Sequence, residues 1–288
     1  MIYNLPIIFC ASLLTSCYTS TPKYLFAPNS ANLLQIEKKK DVKAAINYAQ
    51  SKHAGNNDDS PGIQTSNGID IQTAYSPINH VVLKVDLFKK WDVDKAVNND
   101  QTNSSRYKID YRRQGTVLGL GYFKFLDKAQ EILFNIDGGV GLGKTSFNGT
   151  YRQDAITKYF YTANNTTLAV TPSLRFKISK HYNLTLAYRL SSVAFSNITT
   201  NDITLTKGLY AAFANKNSVY GDIIIENNFG FNSLQGIRFH WQLGVSKLYT
   251  HFSYEPSSTY QSFADQYEYN NTFGSFGIVT DLNKLFIK

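Results

Sequence analysis

From residue 41 onward the chain alternates apolar and polar side chains at every second position, window after window. Ile69, Ile71, Thr73 and Tyr75 stand against Asp70, Gln72 and Ala74, and Val81, Leu83, Val85 and Leu87 against Val82, Lys84, Asp86 and Phe88. Further along, Leu168, Val170, Leu174, Phe176 and Ile178 oppose Ala169, Thr171, Ser173, Arg175 and Lys177. Tyr182, Leu184, Leu186, Tyr188 and Leu190 oppose Asn183, Thr185, Ala187 and Arg189. The cleanest window sets Ile237, Phe239, Trp241, Leu243 and Val245 against Arg238, His240, Gln242, Gly244 and Ser246. Strand side chains point alternately to two faces, so a period of two marks β-strands with one apolar and one polar face. No helical period competes over these windows.

Ten such segments begin near residues 41, 65, 80, 109, 130, 166, 181, 220, 235 and 272. Short turns at 77–79, 126–129, 179–180 and 232–234 alternate strictly with long polar connections at 50–64, 89–107, 145–165, 192–219 and 247–270. An even strand number with short turns on one side and long loops on the other is the layout of an outer-membrane barrel. The expected fold is therefore all-β, a ten-stranded antiparallel up-and-down transmembrane barrel over residues 41–288, with both chain ends on the short-turn side. Aromatic residues near segment ends (Tyr75, Tyr122, Phe125, Tyr182, Tyr220, Phe231, Phe273, Phe286) fit interfacial girdles. A soluble β-sandwich also alternates, but its faces are less uniformly apolar than these.

The first residues add a compartment. Residues 5–14 form an apolar core bounded by small residues in "MIYNLPIIFCASLLTSCYTSTP", the layout of a secretory signal, although its start lacks Lys or Arg. Leu14-Thr15-Ser16-Cys17 resembles a bacterial lipoprotein box. That resemblance implies removal of residues 1–16 and acylation of Cys17, leaving residues 17–40, with Pro22 and Pro28, as a tether to the barrel. Together with Tyr18, "DVKAAINYA" and "GIDIQTAYSPINHVVLKVDLF", these residues resemble outer-membrane β-barrel lipoproteins of Bacteroidota, most closely over residues 14–88. The resemblance implies a bacterial outer-membrane location and carries no catalytic residue.

Composition removes more than it adds. Charged residues make up 17% and hydrophobic residues 43%, which suits a folding chain. The net charge of +8 is scattered, with one dense run at Glu37–Lys43, so it marks a solvated surface or an anionic membrane face and not a nucleic-acid module. "DGGVGLGKT" matches the G-x-x-x-x-G-K-[ST] phosphate loop from Gly138 to Thr145. A phosphate loop needs a helix to begin at its Lys-Thr, yet "SFNGTYRQ" follows. The same residues read as a strand with Ile136, Gly138, Val140 and Leu142 outward and Asp137, Gly139, Gly141 and Gly143 inward. A hairpin centred near Lys128 would set Gly119 and Gly121 opposite Asp137 and Asn135 on that inner face. No nucleotide, cofactor or metal site is expected.

The expected inner face carries Asp70, Lys84, Asp86, Asp137, Arg175, Lys177, Arg189, Asp222, Glu226, Arg238 and His240. Such a set can pair to fill the interior, line an ion path or form a catalytic cleft. Eight strands are just filled by side chains and aqueous channels need about sixteen, so ten favour an ion-paired filling. A rim hydrolase would draw on His251 with Asp265, a spacing without a recognised motif, and no Cys/His cluster has metal-ligand spacing. The loop 248–271, rich in Tyr, Asn, Ser and Thr, suits adaptable recognition of a surface ligand, and residues 205–214 read as a short helix over the rim. The expected role is structural or surface-interacting. The alternatives are a narrow pore, a rim hydrolase and a lipid-anchored soluble β-sandwich.

Overall fold

A computed structural model describes residues 30–55, 62–97, 106–152, 156–201, 217–249 and 271–286. Ten strands form in chain order: β1 (Val42–Gly55), β2 (Gly62–Tyr75), β3 (Val81–Val97), β4 (Arg106–Phe125), β5 (Ile132–Arg152), β6 (Ile156–Lys177), β7 (Tyr182–Thr200), β8 (Ser218–Gly230), β9 (Ile237–Leu248) and β10 (Asn271–Asp281). A five-residue helix, α1 (Leu282–Phe286), follows. Each strand pairs antiparallel with its sequence neighbours, and β1 pairs with β10 from Lys43↔Asp281 to Tyr48↔Phe276, closing the barrel. The fold is the expected closed up-and-down barrel. Closure satisfies the backbone groups that an open sheet edge would leave bare.

The two faces sort as the alternation requires. Outward positions expose Ile46, Ile71, Leu87, Leu120, Val140, Leu168, Leu190, Ile223 and Ile278, with Leu142 at 66% and Ile46 at 62% exposure. Inward positions are buried and mostly polar, among them Asn47, Asp70, Gln72, Thr185 and Gln242. A soluble sheet would bury the apolar face; here the chain presents it to its surroundings around the whole wall.

Three expectations need correction. First, three of the five long connections, those at 50–64, 89–107 and 145–165, are mostly strand. β5 reaches Arg152 and β6 begins at Ile156, where a loop over 145–165 was expected, and β3 and β7 extend to Val97 and Thr200. Above the apolar band the outward positions become Arg112, Gln114, Lys144 and Asn164. The alternation in polarity fades there, while inward Thr145, Phe147, Tyr161 and Ala163 stay buried and the ladder continues. Second, the β4–β5 register centres one residue later than expected. Gly121 faces Asp137, Gly119 faces Gly139, and Asn135 faces Phe123. A shift of two in pairing keeps every side chain on its own face, so the inner-face assignment holds. Third, Tyr220 is buried inward, Phe273 packs against the interior, and Phe125 packs against the inner core, so none of these three belongs to a girdle. The outer aromatics at the turn end are Tyr75 and Tyr122, together with a cluster in which Phe229, Phe239 and Phe276 stack and Phe231 meets Phe229 and Phe239 edge-on, neighbouring ring centroids lying 5.9 to 6.3 Å apart. The side chain of Phe286 and the helix expected at 205–214 lie outside the described residues.

The turns are set by local chemistry. Asp127 accepts backbone hydrogen bonds from Glu131 at 3.0 Å and Ile132 at 2.7 Å. Those amides hold its carboxyl below the ordinary Asp value. Gly236 adopts φ +85°, a conformation L side chains rarely hold, in the turn ahead of β9.

Candidate functional site: an occupied lumen

Of residues 30–40, the described part of the expected tether, 30–36 run inside the barrel and 37–40 are exposed at its turn end. Ser30, Ala31, Leu33, Leu34 and Ile36 are 1 to 4% exposed. Contacts with β2 record the direction of travel: Ser30 N donates to Asp70 Oδ2 at 3.1 Å and Ser30 O accepts from Gln72 at 3.1 Å. Asn32 then donates to Thr73 O at 3.1 Å, and Lys40 N donates to Ser76 O at 2.7 Å. The segment therefore descends from mid-barrel to the turn end.

Its grip on the wall is of two kinds. Gln242 acts as a substitute neighbouring strand, its Oε1 accepting from Ala31 N at 3.0 Å and its Nε2 donating to Ala31 O at 2.8 Å. Lys84 donates to Asn32 O at 2.9 Å, Asn32 donates to Asp86, and Glu37 pairs with Arg175. Between these polar ties lie two apolar contacts. Leu34 and Ile36 enter a socket of Ala45, Ala74, Val82, Phe123, Leu133 and Val279, while Ala31 and Leu33 pack on Ala187, Ile224 and Phe273. All of these wall residues sit at inward positions that the strand pattern otherwise makes polar. Without the segment they would face a polar lumen.

The charged residues expected inside are mostly there. Lys84 pairs with Asp137 at 2.6 Å, Arg189 with Asp222 at 2.6 Å, and His240 Nδ1 lies 3.3 Å from Glu226, with its other ring nitrogen on Asn47. Arg175 is 2% exposed and lies over the Phe125 ring. Two residues sit elsewhere. Lys177 is exposed at the turn-end rim, and Arg238 is half-buried at the same rim, donating to Lys180 O at 3.0 Å. Lys177 ends β6 and Arg238 lies one residue inside the start of β9, where the inner face opens to solvent. So ion pairs are present, but much of the filling is polypeptide.

Higher in the lumen lies a group that the alternation did not reveal, because Lys90, Asp92, Phe147 and Tyr161 fall in stretches read as loops, although Tyr111 and Arg113 lie in the segment expected from near residue 109. Lys90, Asp92 and Arg113 are buried there, with Arg113 paired to Asp92 and lying over Tyr111. Phe147 and Tyr161 stack beside them with their rings 5.0 Å apart, and Tyr111 lies tilted against Phe147. A cavity of about 80 Å³ separates the segment from the glycine-rich wall, touching Lys84, Asp86, Asp137, Gly139, Gly141 and Arg189. That holds a few waters.

The phosphate-loop match dissolves in this geometry. Gly138 faces outward with open space beyond it, while a side chain on Gly121 would collide with the Asp137 carboxylate across the pair. Lys144 is exposed and the strand continues past it to Arg152. His251, Asp265, Cys17 and residues 250–270 of the tyrosine-rich loop lie outside the described residues, and among the described residues no cluster of His, Cys, Asp and Glu has the shape of a metal site.

No family model matches the chain, and no curated protein matches it. Among solved structures, the translocator domain of the autotransporter NalP from Neisseria meningitidis is 9% identical with a TM-score of 0.50, covering 86% of this chain and 90% of that one. The transport unit of the autotransporter AIDA-I from Escherichia coli is 11% identical with a TM-score of 0.47, over 95% of this chain and 97% of that one. An outer membrane channel from Pseudomonas putida F1 is 9% identical with a TM-score of 0.42, over 88% and 99%. At such identities the first of these speaks for the fold alone. This chain has the barrel fold that the NalP translocator domain also has.

Proposed function

We propose that this protein is a lipid-anchored barrel of a bacterial outer membrane, closed to solutes and turned toward surface recognition. The observation that carries the reading is the lumen segment: residues 30–37 are tied to β1, β2, β3, β6, β7 and β9 and sealed by two apolar contacts. A conduit would leave that space to water. The exposed apolar wall supports the membrane location, and the lipobox at Cys17 supports the anchor. With the interior occupied, recognition falls to the polar loops at the end opposite the turns, whose Tyr, Asn and Ser content suits a surface ligand.

Reconstitution in a planar bilayer tests the closed state. The full chain should insert without stable unitary currents, and a steady conductance would make it a narrow pore. Metabolic labelling with palmitate tests the anchor, which should vanish in Cys17→Ser.

A further inference from the structure

We infer that Lys89, Arg112 and Lys144 form a docking site on the outside of the barrel for the phosphate of an anionic lipid in the loop-side leaflet. The site is distinct from the loops discussed above for surface recognition, and a lipid as its occupant rests on the outer-membrane reading of the wall.

The strand register assembles the patch. Leu87 on β3 pairs with Thr116 on β4, which pairs with Leu142 on β5, and both leucines are exposed on the lipid-facing wall. At the next outward position toward the loops, Lys89 faces Gln114 and Gln114 faces Lys144. One outward position further, Arg112 faces Trp91. Lys89, Trp91, Arg112, Gln114 and Lys144 are all exposed. With strands about 4.8 Å apart and two residues rising about 7 Å, the three cations share a patch roughly 10 Å wide that begins about 7 Å along the strands from the leucines.

Charge and position together select the ligand. Inside the wall, Arg113 pairs with Asp92, Lys84 with Asp137 and Arg189 with Asp222. Outside it, Lys108 pairs with Asp110, but Lys89, Arg112 and Lys144 meet no carboxylate among the described residues. Three unmatched cations so close repel one another until an anion sits among them. They stand directly beyond the apolar wall, where long basic side chains can keep their stems on the wall and reach headgroup phosphates. Arg112 offers a phosphate a two-point fork, and the lysines offer point charges. Trp91 is of the residue type favoured at that boundary. A free phosphate would gain nothing from the leucines beneath, whereas a lipid uses both.

The chain has two tryptophans, Trp91 and Trp241, and each serves as a reporter in the full-length protein held in phosphatidylcholine nanodiscs. In Trp241→Phe, brominated phosphatidic acid added as a minor component should quench Trp91 more than the same fraction of brominated phosphatidylcholine. Lys89→Gln, Arg112→Gln and Lys144→Gln should each weaken the apparent affinity behind that excess roughly five-fold, and the triple variant should abolish it. Removing three exposed cations at the turn end, by Lys124→Gln, Lys128→Gln and Lys180→Gln, should leave it unchanged. Equal quenching by the two lipids overturns the site, as does an excess that survives the triple variant or falls equally in the turn-end one. Loss of the excess on adding inorganic phosphate makes the patch a site for free phosphate and overturns the lipid assignment. Trp91→Phe leaves Trp241, whose β10 partner Phe276 is exposed on the lipid-facing side, to report on embedding. If brominated phosphatidylcholine fails to quench Trp241, the membrane reading falls and the lipid site with it. If Trp241 is quenched and the excess at Trp91 is missing, the lipid site falls alone.

Discussion

The lower and upper halves of this lumen solve the same problem by different means. Near the turns, inward positions include Ala45, Ala74, Val82, Phe123, Leu133 and Val279, and a length of the chain's own backbone covers them. Toward the loops, Lys90, Asp92 and Arg113 and the Phe147–Tyr161 stack line the wall with charge and rings. An apolar lining inside a membrane barrel is costly unless something apolar meets it, because the outside of the wall already carries the lipid-facing surface. The difference teaches that the lower half is a socket built around residues 30–37.

The comparison breaks most severely at the socket. Ile36→Asp puts a carboxylate among apolar walls with no cation among the socket residues, a burial that costs several kcal/mol when unpaired. The segment should leave its seat, and limited proteolysis within residues 30–40 should become rapid. Leu34→Ala keeps the chemistry but leaves a void, with an expected loss of about 2–5 kcal/mol in urea unfolding of the folded barrel.

Next comes the polar tie at the junction of the halves. Lys84→Met leaves Asp137 buried without its cation, and breaking a pair of this kind costs about 3–5 kcal/mol. The exposed Lys108–Asp110 pair, with side chains 48% and 38% exposed, should give a change near zero when Lys108 becomes Met. If the two substitutions cost the same, the inner pairs do not organise the lumen.

Two glycines of the "GLGY…DGGVG" hairpin sharpen the same point more gently. Gly121→Ala pushes a methyl group into the Asp137 carboxylate and should destabilise by about 1–3 kcal/mol. Gly138→Ala meets nothing within 4 Å and should stay within about 0.5 kcal/mol. Equal effects would mean that the hairpin's inner and outer faces are wrongly assigned.

The smallest effect lies at the turn. The Asp127 carboxyl is held below its ordinary value by backbone amides, so its contribution is present above the unfolded pKa and is lost as pH falls through the folded one. The protection of the Glu131 and Ile132 amides, measured against their intrinsic exchange rates, should therefore fall at acid pH in the wild type and be low at all pH values in Asp127→Ala.

How far all this was legible differs by element. The period of two was enough for ten strands and the sorting of faces, because each wall residue sees lipid or lumen whatever its partner. Wall height was not legible: at Lys144 and Asn164 the outside turns polar while the strands go on, so a pattern that depends on apolar outward positions stops too early. The lumen segment was least legible. Ala31, Leu33, Leu34 and Ile36 have no strand partner and no helical period, and their contacts come from residues as distant as Gln242 and Val279. A signal did exist in the exceptions. Val82, Ala74 and Leu133 stand on a face that is polar elsewhere, and an apolar residue on a polar inner face calls for a partner from another part of the chain.

The claim that residues 30–37 close the barrel can be put to one paired measurement. The full chain and a variant lacking residues 30–37 are inserted into the same planar bilayer, and unitary currents are recorded. The account predicts silence from the full chain and stable conductance from the deletion. Equal currents from both, or equal silence from two barrels shown to be folded, would contradict it.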